Sequence, residues 1–385
     1  MVNIEDKTKC CGCKACYNVC PKQAITMIED EKGFQYPKVD KEKCINCGLC
    51  EKVCPILNKR ATNKELKSYA VKNKSMETRM NSSSGGVFSI LAEYVLENNG
   101  VVFGASFDED FSIKHIMINN INDLHKLQTS KYVQSDINNT YKEAREMLEQ
   151  GKMVLFTGVP CQIYGLVNYL GKDYSNLYTQ DVICHGVPSP KVWRKYLEYI
   201  KNKNNNEEIE SINFRFKNSS WNDFETKISF YNSKFYHEKH SKDLFMQLFL
   251  QDTILRDSCY KCNFRDYKKI SDITLGDFWG IQNIDKRMDD DRGTSVVIVN
   301  TEKGKKLFEE IKKKSEYKEV NYEDVIKYNP ALIKSHLANK NRDKFFEDFD
   351  NVPFEQNAKK YIIKDSIAKR GLRKIKRIGK KILRR

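Results

Sequence analysis

Residues 10–25 read "CCGCKACYNVCPKQAI", five cysteines in eleven positions, and residues 44–55 read "CINCGLCEKVCP". Cys10, Cys13, Cys16 and Cys20, closed by Pro21, follow the spacing C-x2-C-x2-C-x3-C-P, and Cys44, Cys47, Cys50 and Cys54, closed by Pro55, repeat it. Three thiolates spaced this closely wrap one iron–sulfur cube, and the fourth reaches the cube of the other half. The expected ligand sets are therefore Cys10, Cys13 and Cys16 with Cys54, and Cys44, Cys47 and Cys50 with Cys20. C-x2-C pairs also bind zinc, but zinc does not require two identical four-cysteine runs each ending in proline. Cys11 stands outside the pattern, a bystander beside a complete set. Between the runs, residues 24–28 and 36–39 alternate as strands about a turn at Gly33.

Nine of the thirteen cysteines lie before residue 55. The N-terminus, "MVNIED", lacks the basic and apolar regions of a signal peptide, and no stretch approaches the roughly 20 apolar residues of a membrane span. A cytoplasmic location is expected, and in a reducing compartment so many thiols point to metal ligation or redox chemistry rather than disulfides. The chain has 385 residues and is 40% hydrophobic, enough for a small domain and a large one. Its net charge of +15 is concentrated: residues 366–385 hold ten Lys or Arg and no acid, leaving +5 for the rest. Nucleic acid is therefore not an expected partner. In that tail Ile367, Leu372, Ile375, Ile378 and Ile382 share one helical face, with Gly371 and Gly379 weakening the helix by about 1 kcal/mol each. Such a basic amphipathic helix suits peripheral attachment to an anionic membrane surface, against the alternative of a solvated tail.

After a polar linker over residues 59–67, apolar strands alternate with amphipathic helices. Strands are expected at 68–71, 101–107, 113–118, 153–157, 177–183, 272–275 and 295–299, and helices at 87–97, 141–149, 162–170, 192–201 and 303–313. The fold class is α+β: a small cysteine-rich domain (1–58), a larger α/β domain with a mixed sheet (68–350), and an extension (351–385) ending in the basic helix. "NSSSGGVFSIL" places Ser83, Ser84, Gly85 and Gly86 at a helix start, where free backbone N–H groups either hold a phosphate or are simply capped. No GxGxxG or Walker sequence accompanies it. "GKMVLFTGVPCQIYGL" puts Cys161 in the first turn of a helix, "DVICHGVPSP" puts Cys184 just past a strand, and "CYKCNFR" holds Cys259 and Cys262. These four sum to one more tetrathiolate site: a third 4Fe-4S cluster, a zinc ion, or unrelated core thiols. His185 reads as a substitute ligand or a hydrogen-bonding group, and Asp277 as a polar site residue or a loop cap.

Residues 1–58 resemble bacterial-type ferredoxins with two 4Fe-4S clusters. From residue 68 to 300, "SSSGGVFSIL", "SKYVQSD", "GKMVLFTGVPCQIYGL", "DVICHGVPSP" and "SDITLGDFWG" occur in the order found in the coenzyme F-420 hydrogenase/dehydrogenase beta-subunit family. The resemblance is strongest to its bacterial branch with a fused ferredoxin domain, including proteins found among surface-polysaccharide enzymes. It implies an iron–sulfur flavoprotein, with FAD in the α/β domain, a further cluster beside it, and hydride exchange at the flavin face. Carried onto this chain, Ser83, Ser84, Gly85 and Gly86 hold the FAD phosphates, Lys131 and Tyr132 lie near the flavin, and Thr157 and Gly158 line its pocket. The partners implied are a redox protein or reduced carrier and a small hydride donor or acceptor such as reduced coenzyme F-420. The alternative is an electron-relay subunit that serves a partner enzyme and binds no small substrate. A basic scaffold protein with structural zinc is a third class, which predicts no flavin.

Overall fold

The computed structural model describes residues 2–60, 63–64, 67–265 and 268–364; the basic helix expected over 366–385 lies outside them. Each four-cysteine run is a loop leading into a short helix, Ala15–Val19 (α1) and Leu49–Lys52 (α2). The two loops share one backbone path. Gly12 and Lys14 in the first, and Asn46 and Gly48 in the second, all take left-handed φ values of 69°, 58°, 53° and 73°. Between the runs Ile25–Glu29 (β1) pairs antiparallel with Gln35–Val39 (β2), from Ile25↔Val39 to Glu29↔Gln35.

The body is built on an eight-stranded mixed sheet. Its strands are Lys67–Asn73 (β3), Val101–Phe107 (β4), Ile113–Ile118 (β5), Val154–Gly158 (β6), Leu177–Val182 (β7), Ile273–Asp277 (β11), Ser295–Val299 (β12) and Ser315–Val320 (β13). The order is β13-β3-β12-β11-β7-β6-β4-β5. The neighbours β11, β7, β6 and β4 run parallel, and every other pairing in this sheet is antiparallel. Parallel strands covered on both faces read as apolar runs, as at Val101–Phe103 and Val154–Phe156, all buried. Val87–Glu97 (α3) packs Val87, Ile90, Leu91 and Val95 onto one face beside Leu307, Phe308 and Ile311 of Glu302–Ile311 (α8). On another part of the sheet, Thr140–Glu149 (α4) and Pro160–Leu170 (α5) enclose Phe103 and Phe156 together with Ala15 and Val53 of the cysteine-rich module. The module and the body thus share one apolar core.

Buried polar contacts fix that junction. Lys14 Nζ reaches Asp136 Oδ2 at 2.6 Å, Asn18 Nδ2 donates to the Asn138 carbonyl at 2.8 Å, and Ser189 Oγ donates to the Lys32 carbonyl at 2.5 Å. The Arg256 guanidinium, fully buried, donates from Nε to the Cys10 carbonyl (2.7 Å), from Nη2 to the Gln35 carbonyl (2.9 Å) and from Nη1 to Gln134 Oε1 (3.1 Å). Charged donors on buried carbonyls are stronger than neutral ones.

The sequence pattern gives no expectation for residues 201–243, which hold a separate antiparallel sheet of Ile209–Phe216 (β8), Glu225–Phe230 (β9) and Phe235–Lys239 (β10). Its Ile212, Phe214, Ile228 and Phe230 form a third core with Trp193 and Tyr196 of Pro190–Lys203 (α6) and with Phe245 and Phe249 of Leu244–Leu250 (α7). Phe354, Ala358 and Tyr361 join the same core. Among the described residues no helix is long and apolar enough to cross a membrane.

Candidate functional site

The two cysteine runs converge as interlocked sets. Cys16 lies in the electrostatic field of both Cys10 and Cys54, and Cys10 in that of Cys54. Cys20, Cys44, Cys47 and Cys50 surround a separate small pocket. Backbone N–H groups point at these sulfurs: Val2 donates to Cys50 Sγ and Ala24 to Cys20 Sγ, each at 3.3 Å. Burial pushes the thiols of Cys10, Cys16 and Cys54 upward, and the adjacent Cys11 together with burial does the same to Cys13, so they ionise only with a compensating positive charge, which is what a metal cluster supplies. The second set faces out: Cys47 is exposed, and the neighbouring Ile45 is 57% exposed.

Cys161, Cys184, Cys259 and Cys262 wall another small pocket. Pro160 opens α5, where Gln162 Oε1 accepts from the Val159 N–H, so Cys161 stands in the first helical turn. Cys184 follows β7, Cys259 lies in the 3-10 turn Asp257–Lys261, and Cys262 caps that turn. Burial pushes Cys184 up to about 11 and Cys259 up to about 12. The four thiols wall one space, although no three of their sulfurs gather as closely as the ligands of a single ion. Cys11 forms part of the same wall, and its sulfur lies near those of both Cys13 and Cys161, between the first ferredoxin set and this group. Gly165 makes this approach possible, since a Cβ there would stand 3.1 Å from Cys13 Sγ and 2.9 Å from Tyr141 Oη. His185 Nε2 meets Asp252 Oδ1 at 2.8 Å, the hydrogen-bonding alternative of the two readings.

A cavity of about 650 Å³ opens beside this group, and Cys184 lines both spaces. Ser83, Ser84, Gly86, Lys131, Tyr132, Thr157 and Gly158 all face it. Gly85 lies against the sheet instead: its N–H donates to Ser295 Oγ at 2.9 Å, and a Cβ would stand 2.4 Å from the Val71 carbonyl oxygen. Gly86 caps α3 with φ +79°, and no side chain caps that helix. Lys131 Nζ donates to the carbonyls of Gln128 (2.7 Å) and Lys126 (2.9 Å), and burial brings its ammonium down to about 7. The preceding Thr129 takes φ +64°, an uncommon conformation for a β-branched residue.

Several cavity residues escape the sequence reading. Arg215, on β8, donates from Nη2 to Asp277 Oδ1 (3.0 Å) and to the Ser83 carbonyl (2.9 Å), with its guanidinium 4.0 Å from the centre of the Phe224 ring. Trp221 Nε1 donates to the same Asp277 oxygen at 3.0 Å, and its ring stacks on Trp279. Asp277, at the end of β11, is therefore a site residue that holds a buried cation in place. His115 Nε2 donates to the Thr157 carbonyl (2.9 Å), so Nδ1 accepts from Ser135 Oγ (3.0 Å). The signal for His115 was its inward position on the alternating strand 113–118; nothing in the sequence pairs Arg215 with Asp277.

Two interlocked four-cysteine sets at the edge of a mixed-sheet body, with a third thiol group inside it, define an iron–sulfur electron-transfer oxidoreductase. Residues 151–325 match the family model for the C terminus of the coenzyme F420 hydrogenase/dehydrogenase beta subunit, and residues 9–57 match the 4Fe-4S dicluster domain. The two matches cover separate segments of the chain, the cysteine-rich module and part of the mixed-sheet body. No curated protein matches the chain. A solved structure of the F420-reducing [NiFe] hydrogenase complex from Methanosarcina barkeri, derivatised with xenon, is similar over 76% of this chain and 94% of its own, at 16% identity and a TM-score of 0.48.

Proposed function

We propose that the chain is an iron–sulfur flavoprotein: two 4Fe-4S clusters on the module's cysteines, a third on Cys161, Cys184, Cys259 and Cys262, and FAD in the large cavity. The observation that supports this most directly is Cys184, which borders both the third thiol group and that cavity. FAD, when bound, supplies the exchange between two-electron hydride donors and one-electron clusters. The uncapped N-terminus of α3, with Ser83, Ser84 and Gly86, receives the phosphates, because free N–H groups and the helix dipole favour anions there. Gly85 lets this turn lie flat on β3. Arg215, oriented by Asp277, adds a buried positive charge to the wall. Tyr132, Thr157 and Gly158 shape the remainder, and the Lys131 ammonium, held by carbonyls, steadies the loop before Tyr132.

The cavity substrate on this reading is a hydride-exchanging small molecule such as reduced coenzyme F-420. The exposed face around Cys47 suits a second reading, in which the chain relays electrons to a partner enzyme and turns over no substrate of its own. Anaerobic purification with iron, zinc and flavin measured on one sample tests the cofactors. About twelve irons with one FAD is the expected result. About eight irons with one zinc recasts the third group as structural, and an intact preparation without flavin overturns the proposal.

A further inference from the structure

We propose that His185, Asp252 and His336 bind one divalent transition cation on the wall of the large cavity, separate from the cysteine sets. The three residues come from loops far apart in the chain: after β7, after α7, and before Asn339. Their ligand atoms all lie within 4.8 Å of one another. Two imidazoles flank a single carboxylate, with ring centres 3.9 Å apart. His185 Nε2 stands 2.8 Å from Asp252 Oδ1, and His336 Nδ1 stands 3.6 Å from Asp252 Oδ2.

The second distance is too long for a hydrogen bond but close to the separation of two ligands on one ion. Donors about 2.0–2.2 Å from a tetrahedral zinc stand roughly 3.3–3.5 Å apart, so side-chain shifts on the order of 1 Å close the set. Neither ring nitrogen of His336 is held by a hydrogen bond to Asp252, so the ring can offer one of them to a metal. Its Nε2 is buried without a hydrogen-bond partner among the described residues, and its Nδ1 is out of reach of the carboxylate. Buried ring nitrogens left in this way are rare. With the proton on Nε2, the Nδ1 lone pair is free for a metal.

Asp252 is held for the task. Its backbone takes φ +58°, and its carbonyl accepts from Tyr260 Oη (2.7 Å) and the Asn339 N–H (3.2 Å). The Arg265 guanidinium, which donates to the His185 carbonyl at 2.6 Å, opposes a cation nearby, and the Asp252 carboxylate offsets it. Two imidazoles and one carboxylate are nitrogen and oxygen donors suited to zinc or ferrous iron. Both imidazoles line the large cavity, so the open coordination positions face it. Three protein ligands with an open position are the arrangement of a metal that takes a ligand oxygen. The chemical class expected there is an oxyanion: a carboxylate, phosphate or enolate of whatever enters the cavity.

The test uses the full-length holoprotein with its iron intact. Zinc is added, excess is removed by gel filtration, and bound zinc is counted for the wild type and for His336→Gln and Asp252→Asn. The wild type is expected to retain one zinc more than either variant at unchanged iron content. Equal zinc in all three overturns the proposal. Zinc-edge X-ray absorption of the loaded wild type reads the donors without any variant: nitrogen and oxygen neighbours support the site, and sulfur neighbours, meaning metal on cysteines, overturn it.

Discussion

His115 is neutral at pH 7 and stays so well into the acid range. Its ring is fully buried between the Thr157 carbonyl and Ser135 Oγ, and burial pulls its pKa down from 6.5 to about 4. In the unfolded chain the imidazole titrates normally. Between pH 6.5 and 4 the unfolded state therefore binds a proton that the folded state refuses, and stability falls as pH drops through this window. The loss attributable to this one ring is about 2 kcal/mol at pH 5. His115→Gln keeps a side-chain amide for the Thr157 carbonyl but cannot charge. The drop in thermal midpoint from pH 7 to pH 5, followed by tryptophan fluorescence, is expected to be smaller in the variant. Equal drops would assign the acid sensitivity to other groups. The same residue shows how a site position hides in sequence, because an inward histidine on a strand looks identical whether it braces a core or lines a cavity.

Among the elements, the turn Asp257–Lys261 is the hinge pin between module and body. It carries Cys259, and Arg256 at its start holds the carbonyls of Cys10 and Gln35. At its first residue, Asp257 takes Lys32 of the module at 3.2 Å and Arg342 of the body at 2.5 Å. Arg256→Met leaves two buried carbonyls unsatisfied and removes a charge stacked 4.2 Å from the Tyr36 ring centre. The expected cost is about 3–5 kcal/mol. It should appear as a lower thermal midpoint and, on the proposed reading, as weaker magnetic coupling between a cluster on Cys10, Cys13, Cys16 and Cys54 and one that uses Cys259. An unchanged paramagnetic spectrum would mean that the apolar contacts alone set the docking. Arg256 also marks the limit of legibility. The cysteine runs were readable because ligation fixes a spacing within a dozen residues, and the parallel strands because burial on both faces leaves apolar runs. The sheet of β8–β10 was not, since it alternates buried and exposed positions irregularly, with register shifts at Glu225/Lys227 and Ser229/Phe230. The pairing of Arg215 with Asp277, 62 residues apart, and of Arg256 with Cys10, 246 apart, exists only after folding.

Across the whole molecule the thiol groups lie in series. Only the set of Cys20, Cys44, Cys47 and Cys50 has an exposed cysteine, Cys47, with Ile45 beside it 57% exposed. The set of Cys10, Cys13, Cys16 and Cys54 is turned inward, where Cys11 lies near both Cys13 and Cys161. Cys184 then leads to the large cavity. On the proposed reading, one-electron traffic with an outside protein arrives at Cys47, whereas a hydride donor acts at the opposite end, inside the cavity. These two routes for electrons should separate under mutation. Cys47→Ser weakens or removes the outer cluster and is expected to slow reduction of the protein by a reduced ferredoxin by roughly tenfold or more. Reduction of bound flavin by a hydride donor should keep its wild-type rate in the same variant, because that step uses none of the outer set. Stopped-flow absorbance under anaerobic conditions follows both reactions on one preparation. Equal slowing of the two would mean that the variant has disturbed the body, and no slowing of either would place the docking point for protein-borne electrons elsewhere on the surface.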